Sequence, residues 1–280
     1  VVKGFGQLAL YGWKPRRTIV FASWDAEEQG LIGSTEWAEE HADWLTKNAI
    51  AYLNVDIAAT GLEFECAATP SLAAAVREAA AQVPSPTGNG TVLDRWVETS
   101  KSSTPAVDPL GSGSDFTPFL QHLGIASVDM THRPKGGAYG LYHSAYDSFD
   151  YMRRFGDPGF KASLATARIL GTLALDIANT KLLPLNFSEY AHALHTRVPS
   201  LVAKSVALCG ASFDLDVSPL QAAVAKFLTS AVEVEVERQT LLSPTASALS
   251  VNDFNSRLMM TERRFLNPTG LPARTAGGFK

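Results

Sequence analysis

Between Gly12 and Glu40 the chain reads GWKPRRTIVFASWDAEEQGLIGSTEWAEE, and the order of residue types there sets the expected fold. Arg17 to Trp24 (RTIVFASW) is a short, continuous apolar run, which predicts a strand buried on both faces. It leads straight into three acids, Asp25, Glu27 and Glu28. From Ser34 to Leu45 the spacing of Trp37, Ala38, His41 and Leu45 predicts a helix, with Ser34 as its N-cap.

Working outward, Ala49 to Val55 (AIAYLNV) predicts a second buried strand, and Leu62 to Ala68 a third, nearer an edge. Pro70 to Val83 is Ala-rich with Pro at its start, which suits a helix. Residues 84–91 and 100–114 are rich in Pro, Ser and Gly and predict surface loops. A short helix over Phe116 to Leu123, a strand over Ile125 to Met130, an aromatic loop over Tyr139 to Asp150 and a long helix over Asp157 to Lys181 follow. This alternation predicts an α/β fold with a largely parallel sheet. From about Pro184 strand signals thin out, and Ser188 to Leu208, Pro219 to Gln239 and Ala246 to Leu266 predict three helices. Val232 to Glu237 has the two-residue period of a strand, but Leu220, Val224, Phe227, Leu228 and Ala231 before it keep helical spacing, so the segment is assigned to helix.

Composition narrows the function classes. At 280 residues, 46% hydrophobic and 19% charged, the chain can bury a sizeable core and is not compositionally disordered. A net charge of −4 gives no electrostatic reason to expect nucleic acid or an anionic membrane surface as partner. The two cysteines, Cys66 and Cys209, do not make a disulfide framework. N-x-S/T triplets at Asn89 and Asn186 hint at a secretory route. Val1 to Leu10 reads as the end of a helix already under way, so a longer parent chain is expected.

In open α/β sheets ligands collect at the carboxyl ends of the strands. Three such positions carry chemistry here: Asp25, Glu27 and Glu28 after the first run, Asn54 and Asp56 after the second, and His143 in the loop after the last. Carboxylate oxygen with imidazole nitrogen suits Zn²⁺ better than Ca²⁺. Adjacent glutamates point apart, which suits one as metal ligand and the other as general base beside a metal-bound water. Acids before a helix also complement its dipole, Asp56 could cap a turn, and His143 could be an ordinary packed ring. By themselves these residues leave both readings open.

The words around these residues go further. Gly12 to Glu40, AYLNVD (Ala51 to Asp56), LGSGSDFTPFLQHLGIAS (Leu110 to Ser127) and LYHSAYDSFD (Leu141 to Asp150) resemble the zinc exopeptidase family that includes glutamate carboxypeptidase II. LMMTERRFLNPTGLP (Leu258 to Pro272) is similar to the helical dimerisation domain of transferrin receptor. The resemblance implies an α/β zinc-peptidase portion over residues 1–183 and a truncated all-helical dimerisation domain over 184–280. It implies Glu27 as general base, Tyr142 as stabiliser of the tetrahedral intermediate, and Glu28, Asp56 and His143 as zinc ligands. It further implies Gly113 and Ser114 as a substrate-binding strip and Glu36 and Glu39 as part of a calcium site. The expected partners are a peptide substrate and a second copy of the parent chain. The expected location is the extracellular or lumenal side of a membrane, vacuolar or lysosomal compartments included, with a type II anchor upstream.

Three departures from the family pattern limit these expectations. A histidine and a bridging aspartate of the two-zinc site match no residue of this chain. Glu65, Asp129 and Thr131 stand where acid-preferring members carry arginines. A Lys-Tyr pair that grips a substrate carboxylate also has no counterpart. The chain alone is therefore expected to be inactive, and a catalytically silent, receptor-like relative is the alternative reading.

Overall fold

The computed structural model describes residues 1–136, 139–210, 215–267 and 269–270. The sheet is built around one strand. β1 (Ala51–Asn54) pairs parallel with β3 (Ala126–Arg133), and β2 (Glu63–Ala68) pairs antiparallel with the other side of β3. The strand order is β1-β3-β2, so the sheet is mixed rather than largely parallel. The reason lies in the connection from β1 to β2. Thr60 N–H donates to His132 O at 2.7 Å and His132 N–H to Ala58 O at 3.2 Å, which lays the connection across the end of β3. Gly61 then passes against the Arg133–Pro134 backbone, where any Cβ would collide. β2 consequently enters running back along β3, and as expected it is an edge strand.

Arg17 to Trp24 is not a strand. Its ends are held instead. Arg17 is drawn to three carbonyls, of Ile177, Thr180 and Lys181. Trp24 donates its indole N–H to the Tyr52 hydroxyl at 2.9 Å and packs on Trp37 and Phe119. Between them Val20 and Phe21 are exposed. Apolar composition gave this run strand character, but a strand also needs a ladder partner, and none of the described residues supplies one.

Helices cover both faces of the sheet. On one side lie α4 (Ala73–Ala81) and α7 (Lys161–Asn179). Ala75, Ala79 and Ala80 of α4 and Ala162 and Ala165 of α7 are all buried, and such small side chains let the two helices approach closely. Ile169 and Leu173 reach Val128 and Met130 of β3 in the same buried cluster, each contributing about 1.5–3 kcal/mol by burial. On the other side α2 (Ile32–Glu40) and α3 (Ala42–Asn48) put Ala38 and Leu45 against Phe119 and Ile125. The expected single helix from Ser34 thus starts earlier and breaks at His41. Ser34 is buried inside α2, and its hydroxyl donates back to Leu31 O rather than capping. α1 (Val2–Leu10) precedes this unit. α5 (Val92–Ser100), absent from the sequence reading, opens on a Thr91/Asp94 capping box. A 3₁₀ turn, Pro70–Leu72, α6 (Phe149–Tyr151) and two five-residue π-helical turns, Pro118–His122 and Met152–Gly156, complete its described elements.

From residue 184 the described chain is helical, as expected: α8 (Phe187–Cys209), α9 (Ser218–Leu241) and α10 (Ala248–Thr261). Val232 to Glu237 lies inside α9. Asn186 spends its side-chain oxygen as the N-cap of α8, accepting from Ser188 N–H at 2.9 Å and Glu189 N–H at 3.3 Å, whereas Asn89 is an exposed loop residue. Segment 180–186 is bound tightly to the helices: Arg238 donates to Leu183 O and Leu185 O, and Asn255 bonds both Lys181 O and Leu183 N–H. The main buried cluster runs without a break from Phe64 through Phe254 to Leu258. No helix among the described residues is long and apolar enough to cross a membrane.

Glu262, directly after α10, is 4% exposed. Burial pushes its carboxyl up to about 7, against the opposing effects of the Tyr190 and Ser71 hydroxyls and the Arg263 charge. The unfolded chain, with an ordinary carboxyl near 4.5, binds fewer protons between those two pH values, so stability falls as pH rises through about 7. The expected loss from this residue between pH 5 and 8 is on the order of 3 kcal/mol. Urea denaturation at both pH values should show the fall shrinking in Glu262→Gln. An identical pH dependence in the variant would show that this carboxyl carries none of it.

Candidate active site

The carboxyl end of β1 delivers Asn54, then Asp56. Parallel to it, β3 carries Asp129 at the register position opposite Asn54. The buried Asn54 amide donates to Ser114 Oγ and to Asp129 Oδ1, both at 3.0 Å. That pair of bonds fixes loop 110–115 to the end of the sheet. Ser114 is buried and its hydroxyl is used internally, while Gly113 beside it is exposed with open space where a side chain would stand. Of the expected substrate strip, the accessible part is therefore the Gly113 backbone.

The acidic loop after Trp24 is a compact turn. Ala26 and Leu31 take left-handed backbone angles (φ +56° and +58°), Gly30 and Leu31 N–H groups donate to Glu27 O, and Ile32 N–H reaches Ala26 O. Gly33 N–H closes the turn on Asp25 O at 3.1 Å, in a position where a Cβ would strike the Asp25 backbone. The turn leaves Glu27 half-buried and Glu28 exposed.

Glu28 Oε1 lies 3.2 Å from His143 Nε2. His143 also has left-handed backbone (φ +57°), and the Tyr142 ring stacks on its imidazole at 3.7 Å. Non-glycine residues held at such angles concentrate at functional sites because surrounding structure must over-determine them. Burial raises the Glu27 carboxyl, and the charges of Asp56, Glu28 and Asp115 raise it further, with His143 opposing. Asp115 is raised first by its own burial and then by Asp56, with Ser34 opposing, and one of its oxygens is buried without a hydrogen-bond partner among the described residues. Burial likewise raises Asp129. Asp115 is missing from the sequence reading, although its place directly after the Gly113–Ser114 strip was the available signal.

The residues fit a zinc ion in part. Two ligands about 2.0–2.1 Å from one tetrahedral ion stand about 3.3 Å apart, which matches the Glu28–His143 spacing. Among the described residues no three His, Cys, Asp or Glu side chains converge on one point. Asp56 is exposed and near enough for its charge to act on Glu27, but does not join the Glu28–His143 pair. Glu36 and Glu39 are exposed on α2, one turn apart. Two carboxylates supply only part of the six to eight oxygens calcium takes.

A model of peptidase family M28 matches residues 4–156, and one of the transferrin receptor-like dimerisation domain matches residues 215–276. The chain belongs to peptidase family M28. It is 38% identical over 276 residues to the Arabidopsis thaliana protein named "Probable glutamate carboxypeptidase LAMP1", covering 98% of this chain and 38% of that protein. It is 37% identical to the Rattus norvegicus protein named "Aminopeptidase NAALADL1" over 93% of this chain and 36% of the other. A "Probable glutamate carboxypeptidase" of Arthroderma benhamiae is 40% identical over 82% of this chain and 32% of its own length. The chain thus spans well under half the length of these relatives.

Gly33→Ala is expected to displace the Asp25–Glu28 turn and to destabilise the chain by about 1–3 kcal/mol, the range for a forced steric overlap. Thermal unfolding measures the loss. A variant as stable as the parent would mean that the turn accommodates a methyl group.

Proposed function

We propose that the protein containing this chain is a zinc-dependent exopeptidase that hydrolyses a terminal peptide bond. The observation that carries the reading is the 3.2 Å approach of Glu28 to His143 beside the half-buried Glu27. Glu28 and His143 would hold zinc together, and Asp56 would serve a neighbouring ion. Zinc, when bound there, supplies Lewis acidity and lowers the pKa of a coordinated water toward ~7. Glu27 is the general base. Burial first, and then its neighbouring carboxylates, favour its taking a proton, which it then passes to the leaving amine. Tyr142, oriented by its stack on His143, offers a hydroxyl to the developing oxyanion.

The site is rich in carboxylates. Glu27 lies among the charges of Asp56, Glu28, Asp115 and His143, Asp129 stands next to Asp56, and Glu65 sits farther along β2 paired with Arg133. This charge favours a substrate with a free amino end over one presenting an acidic residue. The name of the aminopeptidase relative agrees with that preference, whereas the names of the two glutamate carboxypeptidase relatives do not. The homology of residues 215–276 to a dimerisation domain supports a homodimeric parent, and the extracellular or lumenal location is part of the same proposal.

The full-length protein, assayed on dipeptides blocked at either end with and without a chelator, is expected to show chelator-sensitive turnover of those with a free amino group. No chelator-sensitive hydrolysis of any of them would favour the silent receptor-like reading. Glu27→Gln is expected to lower kcat by at least 10²-fold, within the usual range for a general base, with bound zinc unchanged; loss of metal would reverse the roles of Glu27 and Glu28. The 280-residue chain alone is expected to bind zinc weakly and to be inactive, because among the described residues only two donors converge. Calorimetry showing two tightly bound zinc ions would overturn that.

A further inference from the structure

At the opposite end of β1 from the acidic site the sign of the charge reverses. A cleft of about 350 Å³ opens there, between Ile50 ahead of β1 and the outer face of α10. Arg16, Arg17, Lys47 and Lys181 line it, with the amides of Asn48 and Asn252 at its rim, and no carboxylate lines it among the described residues.

Two of the cations are fixed. Arg17, half-buried, donates to Ile177 O at 2.9 Å, Thr180 O at 2.7 Å and Lys181 O at 3.4 Å. Lys181 Nζ donates to Leu241 O and Ser243 O, both at 2.9 Å. These carbonyls close the ends of α7 and α9 and hold the cations by their dipoles, but they do not cancel the net charge. Burial and then the Arg16 charge work against the protonated form of Arg17. Arg16 and Lys47 are exposed and stand at the cleft with no ion pair among the described residues. Two hydrogen-bonded cations and two exposed ones, the latter without a hydrogen-bond partner among the described residues, make a concave surface whose mutual repulsion a bound anion relieves.

We propose that this cleft binds a small multivalent oxyanion of the phosphate class. Guanidinium groups match the fork geometry of phosphate oxygens, and ammonium groups add charge. The volume lies at the small end of the ~300–1,000 Å³ of ligand sites, which suits a phosphate or diphosphate group more than a large molecule.

Thermal unfolding and calorimetry of the 280-residue chain test this with sodium phosphate and pyrophosphate, against sodium chloride at matched ionic strength. The expected result is a saturable rise in Tm with pyrophosphate and an affinity at least tenfold weaker in R16A/K47A, whose two side chains are exposed. Pelleting with phosphatidylcholine vesicles, plain or containing a phosphoinositide, separates the sources. Capture only by the phosphoinositide vesicles, lost in the double variant, assigns the anion to a lipid headgroup; pyrophosphate binding without capture assigns it to a free phosphate. Pyrophosphate no more effective than chloride, or unchanged affinity in R16A/K47A, would overturn the proposal.

Discussion

The fold hangs on β3. Among the described residues it is the one strand with ladder bonds on both edges, parallel to β1 and antiparallel to β2. Its residues Ala126, Val128 and Met130 enter the core formed with α4 and α7, while Ile125 just before it enters the core formed with α2 and α3. A central strand must satisfy its backbone through neighbours brought from far away in sequence. Here those neighbours also set the chemistry, since the chain leaving β1 and the loops flanking β3 converge at one end of the sheet.

That convergence is electrostatically unfavourable by itself. Glu27, Asp56 and Asp115 each interact with like charges, and burial adds to the cost for Glu27 and Asp115. Such an arrangement needs a rigid frame. The closure of the acidic turn on Gly33, the Asn54 bridge to Ser114 and Asp129, and the Tyr142–His143 stack provide it. A cation relieves the repulsion, which is why clustered carboxylates next to an imidazole read as a place for positive charge, whether metal or substrate amine.

At the other end the chain solves the converse problem. Segment 180–186 joins the α/β unit to the helices, and its carbonyls, with those ending α7 and α9, receive Arg17, Lys181 and Arg238. Cations satisfy carbonyls that the helix ends leave unpaired. The two parts consequently share one buried cluster, which contains Val128 and Ile169 of the first and Phe254 and Leu258 of the second.

The sequence by itself determined where most elements lie: β1, β2 and β3, the Ala-rich α4, the long α7 and the three tail helices all follow apolar periodicity and end signals. It also held the Thr91/Asp94 box of α5, a legible helix-start signal set between two loop-like stretches. Glu27, Glu28, Asp56 and His143 were found from residue type at strand ends and from family resemblance. Only the tertiary structure decided that Arg17 to Trp24 has no ladder, that β2 runs antiparallel, that Glu28 meets His143 while Asp56 stands apart from that pair, and that Asp115 joins the carboxylates. Periodicity reports a segment's own backbone preference and which face it buries. Pairing, direction and charge proximity depend on partners tens of residues away, and those are fixed only when the chain closes on itself.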